Sequence, residues 1–134
     1  MTSLVTYLGD LRTSSAHIQS GTTILTDAPT DNHGKGEAFS PTDLLATALG
    51  NCMMTIMAIK AADLEINLEQ STVEVTKFMQ TEPRKVCKIG IVMNMNVEVS
   101  DKNKIILERT ALNCPVLLSL NPDIEKDIII NWKN

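Results

Sequence analysis

The stretch SPTDLLATALGNCMMTIMAIKAA, residues 40–62, decides the fold reading. Ser40 suits an N-cap, Pro41 the first helical position and Asp43 the third, where its carboxylate can reach back in a capping box. The apolar run behind this opening predicts a helix from Pro41 to about Ala62. Leu45, Leu49, Cys52, Ile56 and Ile59 recur at helical spacing, which predicts a buried stripe carrying Cys52. The most apolar part, Leu44–Ile59, is interrupted by Thr47, Gly50, Asn51 and Thr55. It falls short of the roughly 20 residues needed to cross a bilayer, so it reads as a core helix.

Upstream, Ser3–Leu8 is β-prone, Gly9-Asp10 reads as a two-residue turn, and Leu11–Gln19 runs back. Ser20-Gly21 makes a second turn into a short strand, Thr22–Thr26. Residues 27–39, DAPTDNHGKGEAF, form a loop that is long for a compact domain, either a mobile crossover or a functional segment. Downstream, Ser71–Met79 is a strand. A second strand alternates from Cys87 through Ile89, Ile91, Met93 and Met95 to Val99, and its length implies a bend or bulge. Ser100 caps a second helix, Asp101–Leu112, with Asn113 as a left-handed C-cap and Pro115 opening a short helical turn. Asp123–Trp132 closes the chain as a strand. The order βββ-α-ββ-α-(short α)-β is α+β with antiparallel sheets packed on two main helices, a single domain over residues 1–134.

The 134 residues carry a formal net charge of −4 and no Lys/Arg run, which argues against nucleic acid and anionic membrane as partners. The N-terminus has neither a basic segment nor an apolar one of signal-peptide type, so the chain reads as cytoplasmic. Three cysteines are an odd number for a disulfide framework, and His17 and His33 lack metal-ligand spacing to any of them. No metal and no cofactor is expected.

Each cysteine has a bland reading. Cys87, on the inward face of an alternating strand, reads as structural. Cys52 shares an apolar stripe and reads the same way, unless Gly50-Asn51 breaks the helix and puts Cys52 in a new first turn, where a thiolate is favoured. Cys114 precedes Pro115, which pushes it out of the α region to a helix–helix junction. A thiol there is accessible and free to form a disulfide, or it is inert.

Together, GDLRTSSAHIQSGTTILTDAP, GEAFSPTDLLATALGNCMMTIM and LNCPVLLSL make the chain resemble the OsmC/Ohr family, the osmotically induced and organic hydroperoxide resistance proteins. The likeness runs over nearly the whole chain. It implies a peroxidatic Cys52 that attacks organic hydroperoxides and becomes a sulfenic acid, and a Cys114 that condenses with it to a disulfide. It implies a dithiol reductant, often a lipoylated protein, and Arg12 as the cation beside the thiolate. It also implies an intertwined homodimer with sites at the subunit interface. Met53, Ile56 and Met57 would line an apolar pocket.

One departure stands out. The family's peroxidases carry a Glu ten residues before the first cysteine to hold the Arg, and that position is Thr42 here. Asp43 faces away from Cys52 on the helix and already has a capping role. Glu37 is a substitute, or else a solvated loop charge. The rivals to a thiol peroxidase are a non-enzymatic small-ligand-binding or redox-sensing protein of the same fold, and a structural interaction protein with buried cysteines.

Overall fold

The computed structural model describes all residues, Met1–Asn134, as two compact units, Met1–Leu45 and Ala46–Asn134. In the first unit, β1 (Ser3–Gly9), β2 (Arg12–His17) and β3 (Thr23–Asp27) form an antiparallel meander in that order. The first turn is Asp10-Leu11 rather than Gly9-Asp10. Gly9, at φ 86°, absorbs a register shift in β1 and pairs with Arg12, moving the turn on by one residue. Asp10 and Leu11 then both take left-handed conformations, as a two-residue hairpin of this hand requires. The strained Leu11 is held at both ends: its N–H donates to Tyr7 Oη and its carbonyl accepts from Ala28 N–H.

The long loop is built rather than loose. A single 3-10 turn spans Thr30–Asn32. Gly34 N–H donates to the Pro29 carbonyl, Gly36 N–H to the Ala28 carbonyl, and Asp27 N–H to the Phe39 carbonyl. A Cβ on Gly34 would lie 1.6 Å from the Ala28 carbonyl oxygen, so only glycine lets the loop close.

Helix α1 (Pro41–Asp63) opens with the expected reciprocal box: Ser40 N–H donates to Asp43 Oδ2 and Asp43 N–H to Ser40 Oγ, both at 3.0 Å. From Ala46 the helix belongs to the second unit. There β4 (Thr72–Thr81) pairs antiparallel with β5 (Arg84–Asn94), and β5 pairs with β6 (Glu125–Asn131). The β5–β6 pairing is parallel, so this sheet is mixed rather than antiparallel throughout. The intervening α2 (Asp101–Ala111) and α3 (Pro115–Ser119) supply the long crossover that a parallel pair needs.

The buried stripe of α1 is Ala46, Leu49, Met53, Met57 and Ala61, not the one through Cys52. Leu45 and Ile59 are exposed, and Cys52 and Ile56 sit at the margin, packed against the core. Gly50 packs tightly on β4: a Cβ there would meet Val75 Cγ2 at 2.8 Å and Val73 Cγ1 at 3.2 Å. The helix runs unbroken through Gly50-Asn51, so Cys52 is mid-helix. At 23 residues α1 reaches spanning length and composition, beyond the shorter apolar stretch the sequence suggested. Its buried residues pack in the core with Ile89, Ile91 and Met93 of β5. Met53 and Met57, fully buried, are core residues rather than pocket lining.

Helix α2 begins at Ser100, whose hydroxyl accepts from Asn103 N–H. Asn113 keeps a negative φ; its side chain instead donates to the Arg109 carbonyl at 2.7 Å.

Candidate functional site

Two clusters of chemical groups stand out, one in each unit. In the second unit the cluster is a pair of thiols. Cys114 falls between α2 and α3 with extended backbone, as Pro115 demands. The sequence reading left its thiol accessible; it is fully buried, because the junction folds down into the core. Its sulfur caps α3 by accepting from Leu117 N–H at 3.4 Å. Cys52 lies half-buried on the α1 margin and packs against the same core. All three cysteines are free thiols. Burial pushes the Cys114 thiol above its ordinary value, against the pull of the Leu117 N–H, and the neighbouring Cys52 sulfur raises it further. Cys114 is therefore held as S–H beside the Cys52 sulfur.

Cys87 stands apart. It is the extra residue of a bulge, since Phe78 pairs with Lys88 and Met79 with Val86. Val86 takes the buried place and Cys87 turns off the inward face, its S–H donating to the Phe78 carbonyl at 3.3 Å.

In the first unit the cluster surrounds Arg12. Nε donates to Asp27 Oδ1 at 2.7 Å and Nη2 to Asp27 Oδ2 at 2.9 Å, a bidentate fork. Nη2 also donates to Glu37 Oε2 at 3.0 Å, and the Glu37 backbone N–H donates to Asp27 Oδ2 at 3.0 Å. Glu37 is thus an ion-pair partner of Arg12 rather than a solvated loop charge. The Asp27 side chain is only 2% exposed and the Glu37 side chain 64%, so Asp27 is the fixed anchor and Glu37 the outer one. The Arg12 fork holds the Asp27 carboxyl below its usual range despite burial, and the two carboxylates raise Arg12. Sequence reasoning missed Asp27. Its signal was the meander register, which sets Arg12 and Asp27 directly opposite each other.

A family model for OsmC-like proteins matches residues 34–128. The chain belongs to the OsmC-like protein family. Among solved structures, the OsmC-like chain is similar to a Psychrobacter arcticus 273-4 protein named for osmotic stress and detoxification response. That match has 56% identity and a TM-score of 0.94, covering 98% of this chain and 96% of that one. It shares its fold with an organic hydroperoxide resistance protein OsmC from Legionella pneumophila, at 17% identity and TM-score 0.72, covering 98% and 97%. It does so too with an OsmC-like protein from Mycoplasma pneumoniae, at 18% identity and TM-score 0.77, covering 98% and 94%. No curated protein matches the chain at a comparable level. The α+β fold expected from the OsmC resemblance is the fold of these relatives.

Proposed function

We propose that this OsmC-like protein is a two-cysteine thiol peroxidase acting on organic hydroperoxides. The observation that carries the reading is the pairing of a half-buried Cys52 with a buried Cys114 in one core cluster. The Cys52 thiolate attacks the O–O bond, the alkoxide leaves and takes a proton, and Cys52 becomes a sulfenic acid. The Cys114 thiol condenses with it, water leaves, and a Cys52–Cys114 disulfide forms before further oxidation can occur. A dithiol reductant, a lipoylated protein being one such donor, restores both thiols.

Arg12 is assigned the role of supplying positive charge to the Cys52 thiolate and the departing oxygen. Asp27 and Glu37 supply the anchoring that Thr42 cannot. The protein is proposed to work as a cytoplasmic homodimer. The exposed apolar side chains Leu4, Val5, Tyr7 and Leu8 on β1 are surface that a second copy would cover. Sharing of sites between subunits belongs to the same reading.

A second reading, a redox-sensing or ligand-binding member of the fold without turnover, draws on the Arg12 cluster. One guanidinium faced by two carboxylates leaves little net positive charge to offer a thiolate. Stopped-flow consumption of an organic hydroperoxide with a dithiol present separates the two. Multiple turnovers that vanish in Cys52→Ser are expected of the peroxidase. A single stoichiometric oxidation with no turnover supports the sensor.

A further inference from the structure

We infer that the reducing thiol attacks the Cys52 sulfur of the oxidised protein and that Cys114 is the sulfur released; this rests on the two-cysteine reading above. Thiol–disulfide exchange proceeds in line, with the nucleophile arriving opposite the departing sulfur, and access decides which sulfur is attacked. The two sulfurs differ sharply in access. Cys114 has no exposed surface and sits in the core cluster with Leu107 and Ala111 of α2. An in-line approach to it would have to pass through packed side chains. Cys52, on the margin of α1, is only partly buried, so of the two it is the cysteine that an incoming thiol can reach.

The departing sulfur also has a partner waiting. Leu117 N–H already points at Cys114 Sγ at 3.4 Å and can receive the charge that develops there. In the step, the reductant thiolate forms a bond to Cys52 Sγ as the S–S bond breaks, and Cys114 leaves as a thiolate that takes a proton. The second thiolate of a dithiol then attacks the reductant's own sulfur. This frees Cys52 and closes the oxidised dithiol, a balanced two-electron exchange.

The test uses the full chain. The Cys52–Cys114 disulfide is made with diamide, which needs no peroxide chemistry, and in parallel with an organic hydroperoxide. It is then treated briefly with 2-mercaptoethanol and quenched with acid and N-ethylmaleimide. Trypsin places Cys52 in residues 36–60 and Cys114 in residues 110–126. The mixed disulfide is expected on the Cys52 peptide in about tenfold excess or more. Equal labelling, or an excess on the Cys114 peptide, would overturn the inference while leaving the peroxidase reading intact. A link that forms with diamide but never with hydroperoxide would overturn the peroxidase reading alone. Failure of both oxidants to form the link would overturn both.

Discussion

At the scale of single residues, the chemistry divides between a buried thiol and a buried carboxylate with opposite pH signatures. Cys114 is pushed up, so the folded state holds its proton more tightly than the unfolded chain does. The stability linked to that proton is full below the ordinary thiol value of about 8.5 and is lost as pH rises through the folded value. Urea unfolding of the reduced protein across alkaline pH should show this decline, and Cys114→Ala should flatten it. Asp27 is held down by Arg12, so its linked stability is present above the ordinary carboxylate value of about 3.9 and is lost as pH falls through the lowered folded value. Asp27→Asn should be less stable at neutral pH and should lose that acid dependence, read by the same unfolding curves. What was legible here followed local rules: Ser40 and Asp43 cap α1, Ser100 caps α2, and Pro115 opens α3. The Asp27–Arg12–Glu37 cluster was not, because it joins residues 15 and 25 positions apart in sequence through strand pairing and loop closure. Nor was the burial of Cys114, since a helix–helix junction looks the same in sequence whether it faces water or the core.

At the scale of elements, glycines set the tightest approaches. Gly50→Ala puts a methyl group 2.8 Å from Val75 Cγ2 and forces α1 away from β4. Overpacking of this kind costs about 1–3 kcal/mol, so thermal unfolding should shift down by several degrees. Gly34→Ala cannot be accommodated by side-chain movement, because the obstacle is the Ala28 backbone. It should open the loop, release Glu37 from Arg12, and speed amide exchange at Gly34 and Gly36. The sequence misled at this scale wherever a single residue changed phase. The bulge at Cys87 put Val86 in its place on the inward face of β5, while Ile89, Ile91 and Met93 kept the expected phase, and Gly9 moved the first turn by one. In α1 the apolar residues surround so much of the helix that periodicity alone did not pick the stripe through Met53 and Met57 over the one through Cys52. The parallel β5–β6 pairing rests on contacts across the whole α2–α3 crossover and leaves no local mark.

At the scale of the whole molecule, the order of strands and helices was readable because each element carried its own start and stop signals. Association entered only through the family resemblance, since it depends on surfaces rather than periods. A sheet that leaves Leu4, Tyr7, Leu8 and Leu25 in water predicts a stable dimer. Sedimentation should give twice the 14.7 kDa chain mass at micromolar concentration, and a particle of the single-chain mass would remove the dimer from the account. The claim on which the rest depends is that Cys52 and Cys114 form one redox unit. It is tested most directly by adding one equivalent of an organic hydroperoxide to the reduced protein and counting the remaining thiols. The account predicts that two of the three thiols disappear, that Cys87 survives, and that peptides 36–60 and 110–126 are recovered as a single disulfide-linked pair. Retention of all three thiols, or a link that involves Cys87, would contradict it.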